Sequence, residues 1–278
     1  MSEAVPEGAG APQSPPPLQR LALGVTYRGT AYHGWQSQPD GKTVQDKLEQ
    51  ALAAFAAMPV GTVCAGRTDA GVHGINQVVH LDTPLAREEF SWVRGVNRYL
   101  PPDIAVQWCR PVAADFHARN SARGRRYRYV LLESPVRPAL ESSQVGWVFR
   151  PLALEPMQAA AALLLGEHDF SAFRAAGCQA LSPVKTLRQI DISRRGAYWS
   201  FDFEASAFLH HMVRNIMGCL LAVGQGTRSV AWMGEVLASR RRETAAPTFA
   251  PDGLYFVGPH YDACHAIPGH VPALDWLS

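Results

Sequence analysis

Apolar positions along the chain switch between a strand period and a helix period, and the order of the switches predicts the architecture. Leu21 to Arg28 reads as a strand and runs into a loop rich in glycine and aromatic residues. Val44, Leu48, Ala51, Leu52 and Phe55 then recur at helical spacing behind Thr43 and Asp46, a capping-box pair. Pro59 and Gly61 end that helix. Thr62 to Ala65 and Gln77 to Leu81 read as strands, Ala86 to Asn97 as a helix stopped before Pro101-Pro102, and Ile104 to Trp108 as a closing strand. The order is β-α-β-β-α-β, the split βαβ arrangement.

The second half repeats that order. Arg126 to Leu132 is a strand and Glu155 to Leu165 a helix. Thr186 to Ser193 and Tyr198 to Glu204 form a hairpin around Arg194-Arg195-Gly196. Leu209 to Val223 and Val230 to Arg240 are helices, and Leu254 to Val257 is a last strand. The repeat lies in topology and not in residue identity. The expected class is therefore α/β, strictly α+β: two ferredoxin-like halves whose strands merge into one largely antiparallel sheet with a central cleft. The expected divisions are a disordered proline-rich tail over 1–18, an N-terminal catalytic half over 19–112, a C-terminal half over 113–260 and a C-terminal tail over 261–278.

Composition narrows the class. The first 18 residues hold five prolines and no aromatic residue, and they lack the apolar core of a secretory signal. No stretch is apolar for long enough to span a bilayer. The five cysteines are odd in number, widely spaced and without a Cys-x-x-Cys pair, which argues against a zinc ribbon and a disulfide framework and points to the cytoplasm. Net charge is only +2, but arginine outnumbers lysine 23 to 3. Six arginines face one acid, Asp115, between Arg110 and Arg128. Guanidinium forks suit phosphate oxygens and stack on bases.

The densest chemical signal is Gly66-Arg67-Thr68-Asp69-Ala70-Gly71-Val72-His73-Gly74, placed between two predicted strands. Three glycines in nine residues permit tight turns and close approach of a ligand to backbone. Asp69 at the tip of such a loop faces whatever enters the cleft, and Arg67 reaches the same space; the plain alternative is a turn in which Asp69 caps backbone amides. Tyr127 and Tyr129 alternate with Arg126 and Arg128, so the tyrosines and the arginines take opposite faces of one strand. His210-His211 invites a metal reading. Adjacent helical residues point about 100° apart, though, so the pair is expected to be structural, with no metal. His73 and His117 have no required part in the chemistry.

The nine-residue string resembles the signature of the tRNA pseudouridine synthase A family. Further strings resemble the family in the same order: Tyr27 to Gln36, Asp115 to Arg119 followed by Arg126 to Tyr129, His168 to Phe173, and Phe208 to Asn215. Together they run from about Leu21 to Tyr261. Ile75-Asn76 departs from the small residues more usual after the signature, which bears on loop packing and not on the chemistry. The resemblance implies a pseudouridine synthase fold and cofactor-free isomerisation of uridine at positions 38, 39 and 40 of the tRNA anticodon stem-loop. It implies Asp69 as nucleophile, Arg214 as its cationic partner across the cleft, and Tyr127 stacked on the flipped base with Arg67 assisting. It further implies tRNA contacts at Arg87, at Phe116, His117, Ala118, Arg119 and Asn120, and at Gly177, Cys178, Gln179, Ala180 and Leu181. A homodimer that touches one tRNA with both subunits, at the stem-loop and at the elbow and backbone, is also implied.

An aspartate can act here by attacking ribose C1′, by attacking uracil C6, or by removing a ribose proton on a glycal route, and the three remain open. Other aspartate chemistries fit less well. Asp69 has no second carboxylate within two residues for magnesium, the order is Thr-Asp-Ala-Gly and not Asp-Thr-Gly, and the His-x-Glu and Pro-Cys-x-x-Cys of nucleic-acid deaminases are missing. A non-catalytic RNA-binding module would keep the arginines and tyrosines without a use for Asp69.

Overall fold

The computed structural model describes residues 17–269. The expected disorder of the proline-rich tail and the expected tail at the C-terminus therefore lie largely outside the described residues. In chain order the elements are β1 (Gln19–Tyr27), α1 (Val44–Ala56), β2 (Val63–Cys64), β3 (His73–Thr83), α2 (Glu89–Asn97), β4 (Ile104–Val112), β5 (Gly124–Glu133), β6 (Gly146–Val148), α3 (Leu154–Ala162), β7 (Gly166–Asp169), β8 (Val184–Arg195), β9 (Tyr198–Ala205), α4 (Met212–Gly224), α5 (Val230–Ser239) and β10 (Leu254–His260).

All ten strands belong to one sheet, ordered β4-β1-β3-β10-β5-β9-β8-β7, with β2 on β3 and β6 on β5. The order β4-β1-β3 with β2 beside β3, and the order β10-β5-β9-β8, are the same split βαβ order drawn twice. The halves join where β10 runs parallel to β3, pairing Tyr255 with His73 and Phe256 with Gly74. The pairs β1–β3, β1–β4, β5–β10, β5–β9 and β8–β9 are antiparallel, which makes the sheet largely so.

Helices cover one face of each half. Under α1 and α2 lie Leu21, Leu23, Val25, Val79 and Leu81, the alternate residues of β1 and β3. Under α3, α4 and α5 lie Tyr129, Leu131, Phe201 and Phe203. The opposite face of the first half is closed by Phe116, Ala118 and Tyr261, packed on Ala22 and Val78. Tyr261 also donates from its hydroxyl to Ala118 O, and Asn76 Nδ2 donates to Pro268 O, so residues 261–269 lie against the body.

Most predicted boundaries hold within a few residues. The capping box is present in full, with Asp46 N–H donating to the Thr43 hydroxyl and Thr43 N–H to the Asp46 carboxylate. The β8–β9 hairpin turns at Gly196, where φ is +61°. Strand β4 runs on to Val112 through Pro111, which an edge strand tolerates because its outer N–H needs no partner. Ile75 is buried against Val130 and Tyr255, and Asn76 accepts from Trp108 Nε1 at 3.1 Å, so the departure after the signature string is packed and bonded.

Candidate active site

The signature string fills the connection from β2 to β3 and stands at the junction of the two halves. The loop that follows β1 braces it from below. Trp35 N–H donates to Thr68 O at 3.0 Å, and the Tyr27 and Thr68 hydroxyls are 2.8 Å apart. Two glycines of this bracing loop permit the close approach. A Cβ on Gly29 would lie 1.9 Å from Val72 O, and one on Gly34, where φ is +86°, would lie 2.6 Å from Thr68 O. The loop turns through Val72 N–H donating to Asp69 O at 3.1 Å, with Gly71 at φ +81°. Asp69 is left at the tip, with its side chain one-fifth exposed.

Three side chains converge on that carboxylate from the other half. Arg214 Nη1 stands 3.4 Å from Asp69 Oδ2. The guanidinium is aimed by its Nε, which donates to Phe249 O at 2.8 Å, while Phe249 N–H donates back to Arg214 O at 3.1 Å. His210 Nε2 is 3.4 Å from Oδ1 and His211 Nε2 is 3.5 Å from Oδ2. Burial holds the His211 imidazole below the usual histidine range, partly offset by the Asp69 charge.

The two histidines correct the sequence reading. That reading put both on a helix from Leu209 and sent their rings apart. The helix begins at Met212, and His211 precedes it with φ +61°. This left-handed residue turns the chain so that the two imidazoles lie 4.0 Å apart by ring centroid, both against Asp69. The available signal was their place directly before the helix that carries Arg214. The apolar residues on either side of the pair hid the break.

The carboxylate opens into a cavity of about 1120 Å³ lined from both halves. Tyr127 lines it from β5, 9% exposed, with its ring edge-on to Phe208 at 5.1 Å and tilted on Phe256 at 5.0 Å. Burial, reinforced by the Asp69 charge, pushes the Tyr127 phenol far above its ordinary value. Tyr127 and Tyr129 do face the helix side, while Arg128 pairs with Asp202 at 2.7 Å. Arg67 reaches across the opening to Gln179 Oε1 at 3.4 Å. Arg119, Asn120, Gly177, Cys178 and Ala180 also line the cavity. So does Arg125, which the sequence reading did not single out; its Nη2 donates to Ala65 O at 3.1 Å and to Arg119 O at 2.7 Å.

Other expected contact residues lie elsewhere. Phe116 and Ala118 are fully buried on the far side of the sheet. Their apolar side chains complete a core there, and a ligand in the cleft does not reach them. His117 is half-buried and uses Nδ1 to accept from Arg119 N–H at 3.2 Å, which shapes the loop that delivers Arg119. Arg87 lies over the Phe55 ring at 4.3 Å and donates to Phe55 O, in a separate shallow depression formed with Gln19 and Phe90. Leu181 is fully exposed beyond the cavity rim. His73 is a tie between loops, with Nδ1 accepting from Gly29 N–H at 3.1 Å and Nε2 3.0 Å from Asp252 O. No helix among the described residues is long and apolar enough to cross a membrane.

A doubled split βαβ sheet with a carboxylate at the junction of its halves agrees with the pseudouridine synthase fold that the sequence resemblance implies. The family model described as tRNA pseudouridine synthase matches residues 24–120 and 160–262. The chain is 74% identical over 258 residues to the tRNA pseudouridine synthase A of Methylibium petroleiphilum, covering 93% of this chain and 99% of that one. It is 63% identical over 262 residues to that of Polaromonas naphthalenivorans, with the same coverage. The chain belongs to the tRNA pseudouridine synthase family. A solved Cbf5–Nop10–Gar1 complex aligns over 81% of this chain and 60% of that one at 13% identity and a TM-score of 0.32, a likeness too slight to carry weight.

Proposed function

We propose that this protein isomerises uridine to pseudouridine at positions 38, 39 and 40 of the tRNA anticodon stem-loop, with Asp69 as the covalent catalyst. The observation that carries the reading is the placement of Asp69: a carboxylate at a loop tip, open to a cleft and met from the opposite half by Arg214 at 3.4 Å. The reaction breaks the N1–C1′ bond, turns the uracil and joins C5 to C1′; the C5 proton leaves and N1 ends protonated. No atom is gained or lost, so no oxidant, reductant or group donor is required. An ionised carboxylate can open the sequence by attack at C1′, attack at C6 or removal of a ribose proton.

The cleft suits an extruded base. Extrusion costs about a few kcal/mol, and stacking on an aromatic ring returns about 1–3 kcal/mol. Tyr127 offers the ring, held by Phe208 and Phe256. Arg67 at the mouth is placed to fill the space the base leaves or to meet its backbone, and Arg119, Asn120 and residues 177–180 flank the same opening. Leu181, exposed at the rim, and His117 belong to the same two segments and reach RNA outside the cavity. Arg87, on its separate face, could serve only a second region of a large RNA such as the elbow. A homodimer would combine the arginine surfaces of two chains, each of modest net charge +2, against one polyanion, and sizing of the purified protein in solution tests it. A cytoplasmic location fits a protein that works on tRNA.

Mapping pseudouridine in tRNA from cells with and without the protein tests the substrate. The expected result is loss at positions 38, 39 and 40 alone. Unchanged anticodon stem-loops would contradict it.

A further inference from the structure

The reading of Asp69 as catalytic carboxylate leaves His210 and His211 without a task, although their placement is specific. Each presents Nε2 to a different oxygen of the carboxylate, at 3.4 and 3.5 Å. These are long for charge-assisted hydrogen bonds, which run at about 2.7–2.9 Å. They are near the roughly 3.3–3.4 Å that separates neighbouring donor atoms around an ion with bonds of about 2.0–2.1 Å, with each imidazole beside its own oxygen of the one carboxylate. The three donor atoms all lie within 4.8 Å of one another. The arrangement depends on His211 holding φ +61°, a backbone conformation that non-glycine residues seldom adopt and that clusters at functional sites.

We infer that Asp69, His210 and His211 form a three-ligand site for a zinc-class divalent ion, which binds when RNA is absent and blocks the enzyme by occupying its carboxylate. The inference rests on the proposed role of Asp69 only for the blocking; the ligand geometry stands without it. Two imidazoles and a carboxylate are the donor set that suits zinc. The cavity leaves the fourth position open to water. The site has a built-in opponent: Arg214 Nη1, 3.4 Å from Oδ2, repels a second cation beside the same oxygen. Binding is therefore weaker than at a structural zinc centre and reversible. Entering RNA and the ion compete for one cavity.

Arg214 also supplies the discriminating test. Zn²⁺ binding to the full-length protein is measured by competition with a chromophoric chelator. One equivalent is expected, weakened at least about tenfold by Asp69→Asn, His210→Ala or His211→Ala singly, as loss of one of three ligands requires. Arg214→Met is expected to tighten it severalfold, a gain that unfolding cannot mimic. His168→Ala and Cys264→Ser, outside the cavity lining, are expected to leave it unchanged. Pseudouridine formation by the wild-type protein should fall on addition of Zn²⁺ and return with chelator. No binding, binding indifferent to the triad substitutions, or binding lost with Cys264→Ser would overturn the site. Binding at the triad without inhibition would overturn the blocking. Turnover retained by Asp69→Asn while metal binding still followed the triad would instead strike the catalytic reading and leave the site standing.

Discussion

Asp69 and Arg214 come from opposite halves of the molecule and meet at 3.4 Å, although they stand 145 positions apart in the chain. The arginine does two things at once: Nε holds Phe249 O at 2.8 Å while Nη1 addresses the carboxylate. Lysine has one terminal nitrogen and cannot do both. Arg214→Lys is therefore expected to lower kcat by about a hundredfold, the scale seen when one preorganised charge contact is lost. Affinity for tRNA should stay near normal. Steady-state kinetics beside a binding measurement separates the two, and a loss confined to binding would argue against the pair.

The ring of Tyr127 and its hydroxyl make separable predictions. Burial and the nearby Asp69 charge keep the phenol protonated, so it has no role as a base at neutral pH. Tyr127→Phe should keep binding of a uridine-containing stem-loop close to wild type. Tyr127→Leu, which keeps an apolar side chain against Phe208 and Phe256 but removes the flat face, should cost about 1–3 kcal/mol, read as a fall of roughly five- to 150-fold in kcat/KM.

The bracing of the signature loop can be tested at Gly34. Alanine there meets a left-handed backbone at φ +86° and a Cβ 2.6 Å from Thr68 O. The strain is on the order of 1–3 kcal/mol, and it is relieved by moving the residue next to Asp69. Displacements of about 1 Å at a reacting group cost about a hundredfold. Gly34→Ala should lower both the unfolding temperature and kcat, with KM little changed.

Acid sensitivity should arise partly far from the cleft. His80 is pushed down to about 4, chiefly by burial and then by the charges of Arg20 and His117. Its Nδ1 accepts from Ala118 N–H at 3.1 Å, a bond that protonation there would remove. Below the ordinary histidine value the unfolded chain binds a proton that the folded one refuses, so this contribution to stability is full at neutral pH. It is lost as pH falls from about 6.5 towards 4. Its ceiling is about 3 kcal/mol. Thermal unfolding followed from about pH 7.5 to about pH 4.5 should show a shallower decline for His80→Asn, which keeps an acceptor but cannot titrate there.

Elements with strong local signals were legible in the chain itself. Thr43 and Asp46 announced α1, the turn at Gly196 announced the β8–β9 hairpin, and the doubled β-α-β-β-α-β order announced one sheet. Short edge pieces such as β6 and β7 carried no such signal, since three or four residues cannot display a period. Asp69 was visible because a glycine-rich string surrounds it. Phe116 and Ala118 share a segment with Arg119, yet adjacent residues there face a core and a cleft respectively, and sequence order does not say which. His210 and His211 were misplaced for a related reason. The left-handed turn at His211 carries no glycine to mark it.

In the proposed reaction the carboxylate of Asp69 does the chemistry while the surrounding cleft does the holding. Asp69→Asn replaces that charge with an isosteric amide and keeps the loop. Incubated with unmodified tRNA, the variant should bind with near-normal affinity and form no detectable pseudouridine. Turnover retained by the variant, with or without weakened binding, would contradict the account.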